Sequence, residues 1–258
     1  MDITISIITC VKNNAVGIRQ NIACVQRQSY HQIEHIIIDA NSTDATEKTI
    51  QSLMHEKIVY IREGDSGIYD ALNKGMAAAT GDVVGVLHSD DRFTDESVLA
   101  DVAKSFSENK NCELLYADLV YVSKNTRNIL RFWKAKKFKP HKLYLGWMPP
   151  HPTVFLRREK FTKKLYDATF RISADYKFLV HYFRKSRGQS VVYLPRTIVE
   201  MQTGGISNGS LKNIICKTLE DWRALKGTGF PKIFTIMAKI FSKLTQFRIS
   251  KANDIDFK

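Results

Sequence analysis

Over the first ninety positions, short apolar runs rich in β-branched residues alternate with polar segments of helical spacing. Ile3 to Thr9 predicts a strand, and Val16 to Gln28 predicts a helix with Ile18, Ile22 and Val25 on one face. His35 to Asp39 reads as a second, buried strand ending in a carboxylate. Asn41 to Asp44 supplies turn and cap chemistry, with Glu47 spaced from Asp44 as in a capping box, and the helix runs on toward Met54. Ile58 to Ile61 predicts a third strand, and Ile68 to Ala79 a helix stopped by Thr80-Gly81. The fourth strand then runs from Gly81 into two adjacent carboxylates, Asp90 and Asp91. Such alternation implies right-handed crossovers and a mostly parallel sheet.

Beyond Asp91 the pattern loosens. Asp95 to Phe106 predicts a helix, and Glu113 to Val122 and Asn128 to Trp133 read as strands able to pair antiparallel. After the stiff loop Met148 to Pro152 come a strand, Thr153 to Leu156, and a helix, Ala174 to Lys185. Two strands, Val191 to Leu194 and Thr197 to Gln202, precede a glycine-rich loop over 203–209. In the tail, Ile233, Ile236, Met237, Ile240, Phe241, Leu244 and Phe247 recur at helical spacing, with Lys232, Lys239, Lys243 and Arg248 between them. A basic amphipathic helix suits an anionic membrane surface. The same spacing suits packing on the body of the protein or on another subunit.

Composition narrows the class. The 258 residues are 44% hydrophobic and 25% charged, as in an ordinary soluble globular chain, but the net charge is +13. That balance favours nucleic acid, anionic membrane or phosphorylated substrates as partners. Cys10, Cys24, Cys112 and Cys216 show no zinc or redox spacing and read as reduced thiols of a cytosolic protein. No secretory signal is evident, and no run is long enough to span a bilayer, so any membrane contact is expected to be peripheral. No helix-turn-helix, zinc or RNA-recognition signature is present, which disfavours a nucleic-acid-binding protein. The glycine cradles of P-loop ATPases and dinucleotide oxidoreductases are missing too. A nucleotidyltransferase on a similar scaffold should carry a phosphate loop near its start, which Val11 to Gly17 does not supply.

The strand-end carboxylates carry the candidate chemistry. Ligands of open α/β sheets bind at the carboxyl ends of the strands. Asp39, Asp65, Asp90 and Asp91 are expected to gather on that rim, and clustered anions with hard oxygen ligands call for Mg²⁺ or Mn²⁺. The inference is a metal-assisted phosphate-ester site.

In this order and spacing, several segments resemble the family 2 glycosyltransferases: the Ile3 to Thr9 strand, Ile36-Ile37 through Asp39 with Ser42-Thr43-Asp44, Asp65 through Gly67-Ile68-Tyr69-Asp70-Ala71 to Asn73-Lys74-Gly75, and Gly81 to Asp91. The resemblance covers the first hundred residues strongly. The segment around Tyr69 and Asn73 looks like bacterial enzymes that build O-antigen and exopolysaccharide repeat units. It implies a GT-A fold: a Rossmann-like, mostly parallel central sheet flanked by helices, with a mixed acceptor-side half and C-terminal helices. The expected division is a catalytic domain over 1–205, split near residue 100 into donor-binding and acceptor-side halves, and a helical tail over 206–258. It implies an inverting hexosyltransferase using a nucleotide sugar, with uracil the commonest base. The acceptor would be a sugar on a polyprenyl diphosphate carrier at the cytoplasmic face of the inner membrane.

The same resemblance assigns residues. Asp39 contacts the nucleobase with Thr9 near it, Asp90 fixes the ribose, and Asp91 holds the metal. Ser89 replaces the first acid of the usual Asp-x-Asp. Asp65, Tyr69, Asn73 and Lys74 match the segment that closes over the donor, and His151 lies beside the donor diphosphate. Asp175, at a predicted helix start, matches the base that deprotonates the acceptor, with Asp167 as a weaker substitute. An ordinary helix-start aspartate is the alternative for Asp175. His88 reads as packed or solvent-lined rather than as a ligand.

Overall fold

The computed structural model describes residues 3–123, 128–161, 164–203 and 211–249. Its first half is built from β1 (Ile5–Val11), α1 (Ala15–Gln26), β2 (Ile33–Asp39), α2 (Thr46–Gln51), β3 (Ile58–Arg62), α3 (Ile68–Ala78) and β4 (Val83–Val86). The four strands are parallel in the order β3-β2-β1-β4. Every residue of β1 is buried because the strand is covered on both faces. Ile8 and Cys10 join the core under α3, while Ile5 and Ile7 join a second core with Cys24 and Val25 of α1. Helix α3 approaches β1 so closely that a Cβ on Gly75 would stand 2.4 Å from a methyl of Ile8. Val11 pairs with Asp39 and Asp39 with Arg62, so the strand ends form one polar rim.

The second half adds β5 (Arg92–Phe93), α4 (Val98–Glu108), β6 (Leu114–Val122), β7 (Ile129–Trp133), β8 (Phe155–Arg157), α5 (Ala174–Ser186) and β9 (Val191–Gln202). These strands continue the sheet as β4-β8-β6-β9-β5, with β7 on the side of β6. Strand β8 is antiparallel to both β4 and β6, whereas β6 and β9 run parallel. The sheet is therefore parallel in the first half and mixed beyond it, the GT-A arrangement expected from the resemblance.

Several local expectations change. The two strands predicted over 191–202 are one strand, β9, whose register against β6 shifts around Asp118, where Pro195 has no N–H to give. The capping box does not form: Asp44 accepts the Thr46 N–H, and Glu47 turns to Gln51 and Arg62. Two-residue β5 is too short to show a period.

Two helices, α6 (Leu211–Ala224) and α7 (Lys232–Ile249), close the described chain. No helix among the described residues is long and apolar enough to cross a membrane. The expected division of α7 into one apolar and one basic face does not hold. Thr235, Ile236 and Lys239 are buried, while Ile233, Phe234, Met237, Ile240 and Phe241 are exposed. Lys239 turns inward because Asp221 of α6 offers it a carboxylate at 2.8 Å. Gly146, at φ +69°, admits α7 there, since a Cβ on it would lie 2.5 Å from the Lys239 Cβ. The glycine-rich loop of 203–209 lies outside the described residues beyond Thr203, as do the side chains at 243–249.

Candidate active site

The rim brings Asn14, Ser89, Asp90 and Asp91 together. Asn14 caps α1, its Oδ1 accepting the Gly17 N–H at 3.0 Å, while its Nδ2 donates to Asp90 Oδ1 at 2.6 Å and to Ser89 Oγ at 3.1 Å. Asp90 is exposed, at the edge of a polar groove of about 770 Å³ that also takes in Lys12, Gln20, Arg92 and Gln202. Asp91 is its opposite. It is 2% exposed, and its Oδ2 has no hydrogen-bond partner among the described residues. Burial, and then the neighbouring charge of Asp90, push its pKa well above the ordinary carboxylate value.

A buried carboxylate with an orphaned oxygen is the donor that a hard divalent ion needs. Among the described residues no three cysteine, histidine or acidic side chains gather closely enough to hold a metal unaided. Water and bound phosphate oxygens would complete the shell, as is usual for Mg²⁺. The residues thus fit a metal held chiefly by Asp91.

The expected gathering of four carboxylates around a cation is corrected at Asp39. That side chain is fully buried, and protein donors compensate it instead. Its Oδ1 accepts the Ser42 N–H at 2.9 Å and the Ser42 hydroxyl at 2.6 Å, and its Oδ2 accepts the Tyr60 hydroxyl at 2.9 Å. The Arg62 guanidinium lies 3.8 Å from the same Oδ2, which keeps an acceptor position beside the tyrosine bond. Thr9 is also fully buried, its hydroxyl donating to the Leu87 carbonyl at 2.8 Å between Asn21 and His35. It fixes the strand that delivers Ser89 to Asp91 and does not line the groove.

The segment matching the donor-closing motif acts largely as a set of clasps. Asp65 accepts the Gly67 N–H at 3.0 Å, ahead of α3. Lys74 donates to Glu63 at 2.9 Å and to the Gly64 carbonyl at 2.6 Å. Asn73 grips the backbone of Tyr166 through both amide atoms, at 2.7 and 3.0 Å. Tyr69 reaches farthest: its hydroxyl lies 2.6 Å from the Ile172 carbonyl and 3.0 Å from Asp175 Oδ1.

Asp175 stands in the first turn of α5, half-buried, in a cleft of about 160 Å³ that it shares with His88 and His151. Burial, and then His151, bring the His88 pKa down to about 4, and burial lowers that of His151. Both rings are therefore neutral at physiological pH, and His151 Nε2 lies 2.7 Å from the Tyr166 hydroxyl. His88 is packed as expected, yet it belongs to the cleft. Asp167 is drawn away by Lys177 at 2.6 Å and by Thr169, which hold its pKa at about 2, so it is a poor base. Glu220 of α6 accepts three backbone N–H bonds, from Arg171, Ile172 and Ser173, at 2.7, 2.8 and 2.9 Å. A tail helix thereby anchors the turn that carries Asp175.

Two of these residues escaped the sequence reading. Asn14 had a local signal, an asparagine directly before a helix. Glu220 had none, since its partners lie 47 to 49 residues away.

Comparison with known proteins bears on the family and the fold. The family described as Glycosyl transferase family 2 matches residues 6–166. A PGL/p-HBAD biosynthesis glycosyltransferase of Mycobacterium tuberculosis is 29% identical over 209 residues, 79% of this chain and 78% of that protein. An uncharacterized glycosyltransferase of the same species is 31% identical over 182 residues, 69% of this chain and 68% of that protein. Among solved structures, residues 1–349 of S. aureus TarS in complex with UDP-GlcNAc superpose with a TM-score of 0.65 at 16% identity, covering 99% of this chain and 76% of that one. The mannosyltransferase PcManGT of Pyrobaculum calidifontis, in complex with GDP-Man and Mn²⁺, gives 0.62 at 15% identity, covering 97% and 74%.

Proposed function

Since the chain belongs to glycosyl transferase family 2, we propose that it moves a hexose or related sugar, with inversion, from a nucleotide sugar to a sugar on a polyprenyl diphosphate carrier. The observation that carries the reading is the pairing of an orphaned, buried Asp91 with an exposed Asp90 held by Asn14. UDP is the nucleotide we adopt. The solved neighbours bind UDP-GlcNAc and GDP-Man, which supports a nucleoside-diphosphate sugar. The family assignment sets aside the nucleic-acid-binding and nucleotidyltransferase readings.

In this mechanism Asp90 takes the ribose, and Asp91 would hold Mn²⁺ or Mg²⁺. Such an ion, when bound, offsets the charge of a departing diphosphate. Asp175 accepts the acceptor hydroxyl's proton while that oxygen bonds the anomeric carbon, and the carbon–oxygen bond to the diphosphate breaks with its electron pair leaving on the diphosphate. Tyr69 of the first half orients Asp175 of the second through one hydrogen bond. Neutral His151 stands ready to donate to a phosphate oxygen or to hold Tyr166 in place.

The acceptor reading draws on the tail. Ile215, Leu219 and Trp222 of α6 and Ile233, Phe234 and Phe241 of α7 are all exposed, and apolar exposure concentrated on adjacent elements is a mark of an interaction surface. Trp222 and Lys232 meet at 5.1 Å, which joins the two helices. With Lys136, Lys139 and Lys142 nearby in sequence to exposed Tyr144 and Leu145, that surface suits the cytoplasmic face of an anionic inner membrane.

A panel of nucleotide sugars with Mn²⁺ or Mg²⁺ tests the reading. One member should raise the thermal midpoint of the protein, and Asp91→Ala should abolish that protection. No protection by any nucleotide sugar, together with binding of DNA or RNA at physiological salt, would overturn it.

A further inference from the structure

His88 and Tyr121 line the Asp175 cleft and also stand near the carboxylate pair. The backbone holds His88 firmly. Its carbonyl accepts the Asp91 N–H at 2.9 Å, closing a turn over Ser89 and Asp90, and it also accepts Nδ2 of fully buried Asn21 at 3.0 Å. That turn lets His88 line the cleft while Asp90 lines the polar groove. Tyr121 comes from β6, opposite Arg131 of β7 in register, and the guanidinium packs over its ring at 4.8 Å. Burial and His151 bring the His88 pKa down to about 4, against the opposing charges of Asp90 and Asp175. Burial raises that of Tyr121, Arg131 lowers it, and Asp91 and Asp175 raise it further. Each ring thus senses one acid of the pair and the acid of α5.

An in-line transfer needs the anomeric carbon between the oxygen that leaves and the oxygen that attacks. With Asp91 at the leaving end and Asp175 at the attacking end, side chains between the two border the sugar. Both rings bring unused polar atoms to that place. Neither ring nitrogen of His88, nor the Tyr121 hydroxyl, has a hydrogen-bond partner among the described residues. Neutral imidazole offers one donor and one acceptor, and a phenol also does both, as a sugar hydroxyl does. A phosphate oxygen only accepts, so a neutral His88 is better matched to the sugar than to the diphosphate. His151 differs, because Tyr166 engages its Nε2. If His88 only packed against His151, 6.3 Å between ring centres, an apolar ring would serve without desolvating two nitrogens.

We propose that His88 and Tyr121 hydrogen-bond hydroxyls of the transferred sugar and so determine which donor sugar is accepted. The assignment rests on the transferase reading, and it adds to that reading the side chains that select the sugar. A site built to hydrogen-bond a hydroxyl discriminates strongly against a sugar lacking it, because its own polar atoms are then left unpaired. The turn from His88 to Asp91 makes the selection rigid, since one backbone bond ties the sugar contact to the carboxylate pair.

The test is titration calorimetry on the full chain with Mn²⁺, using the nucleotide sugar that protects wild type in the thermal panel, its nucleoside diphosphate, and donors each lacking one sugar hydroxyl. His88→Phe keeps a ring beside His151, and Tyr121→Phe keeps the ring under Arg131. Each variant should bind the nucleoside diphosphate as wild type does and the nucleotide sugar at least tenfold more weakly. One deoxy donor should lose a similar factor on wild type and little more on the variant, which identifies the hydroxyl concerned. If His88→Phe fails to fold, His88→Ala replaces it, and nucleoside diphosphate binding reports that the carboxylate rim is intact. Equal losses for the diphosphate and the sugar, unchanged sugar affinity in either variant, or an undiminished further loss with every deoxy donor overturns the proposal. Failure of the transferase reading would appear earlier and separately, as protection of wild type by no nucleotide sugar.

Discussion

Asp91 and Asp90 are neighbours in sequence with opposite environments, and the difference defines their work. The folded state raises the Asp91 pKa above its ordinary value of 3.8. As pH climbs past that value the unfolded chain releases this proton first, so the folded state is progressively penalised until its own pKa is reached. Asp91→Asn should therefore stabilise the metal-free protein at neutral pH, by about 1 kcal/mol or more. The gain should appear as a rise of about 2–4 °C per kcal/mol in a thermal melt. The same variant should lose all stabilisation by Mn²⁺; a lowered midpoint without metal would contradict the reading of an uncompensated carboxylate. Asn14→Ala should cost about 1 kcal/mol through the lost cap. Because Asn14 also tethers Asp90, it should weaken nucleotide-sugar binding, as titration calorimetry would show. Asp167 behaves in the reverse sense, since Lys177 and Thr169 hold its pKa at about 2. Its contribution is present above pH 3.8 and fades as pH falls toward 2. Asp167→Asn should thus flatten the acid limb of a stability profile while leaving transfer intact.

Among the elements, α3 and α5 are joined by the Tyr69 hydroxyl. Tyr69→Phe keeps the ring and loses that bond, at about 1 kcal/mol of stability. Its signature should be a lower turnover number with donor affinity unchanged; a loss confined to donor affinity would return Tyr69 to a donor-closing role. Helix α7 depends on Gly146. Gly146→Ala forces a side chain into the left-handed region, at about 1–2 kcal/mol, and meets Lys239 and Thr235 as well. Hydrogen exchange should show α7 opening before the parallel strands do. The four parallel strands were legible in the sequence because each is an apolar run bounded by turn residues. Strand β9 was read as two because Pro195 interrupts its pattern, and the facing shift in β6 is a tertiary event. The faces of α7 were misread for a similar reason: periodicity cannot tell that a lysine will find Asp221 on another helix.

For the whole molecule, the site is assembled from three parts of the chain. The rim of the parallel sheet carries Asp90 and Asp91, α5 carries Asp175, and the tail supplies Glu220 to anchor the α5 turn. The carboxylate pair was visible as a motif and Asp175 only through the family resemblance, whereas the support from the tail was not visible, because no local pattern links Glu220 to residues 171–173. Under the proposed membrane reading, the net charge of +13 is put to use at an anionic surface. Flotation with anionic vesicles should hold the protein at low salt, and Phe234→Glu with Phe241→Glu should release it. Equal flotation of that double variant would remove α7 from the membrane contact.

The division of labour between the two halves is tested most directly by Asp175→Asn, with donor binding and sugar transfer measured on one preparation. Donor affinity should match wild type while transfer falls by about 10²–10⁴-fold. Transfer within a few-fold of wild type would contradict the account, because the proton acceptor would then lie elsewhere.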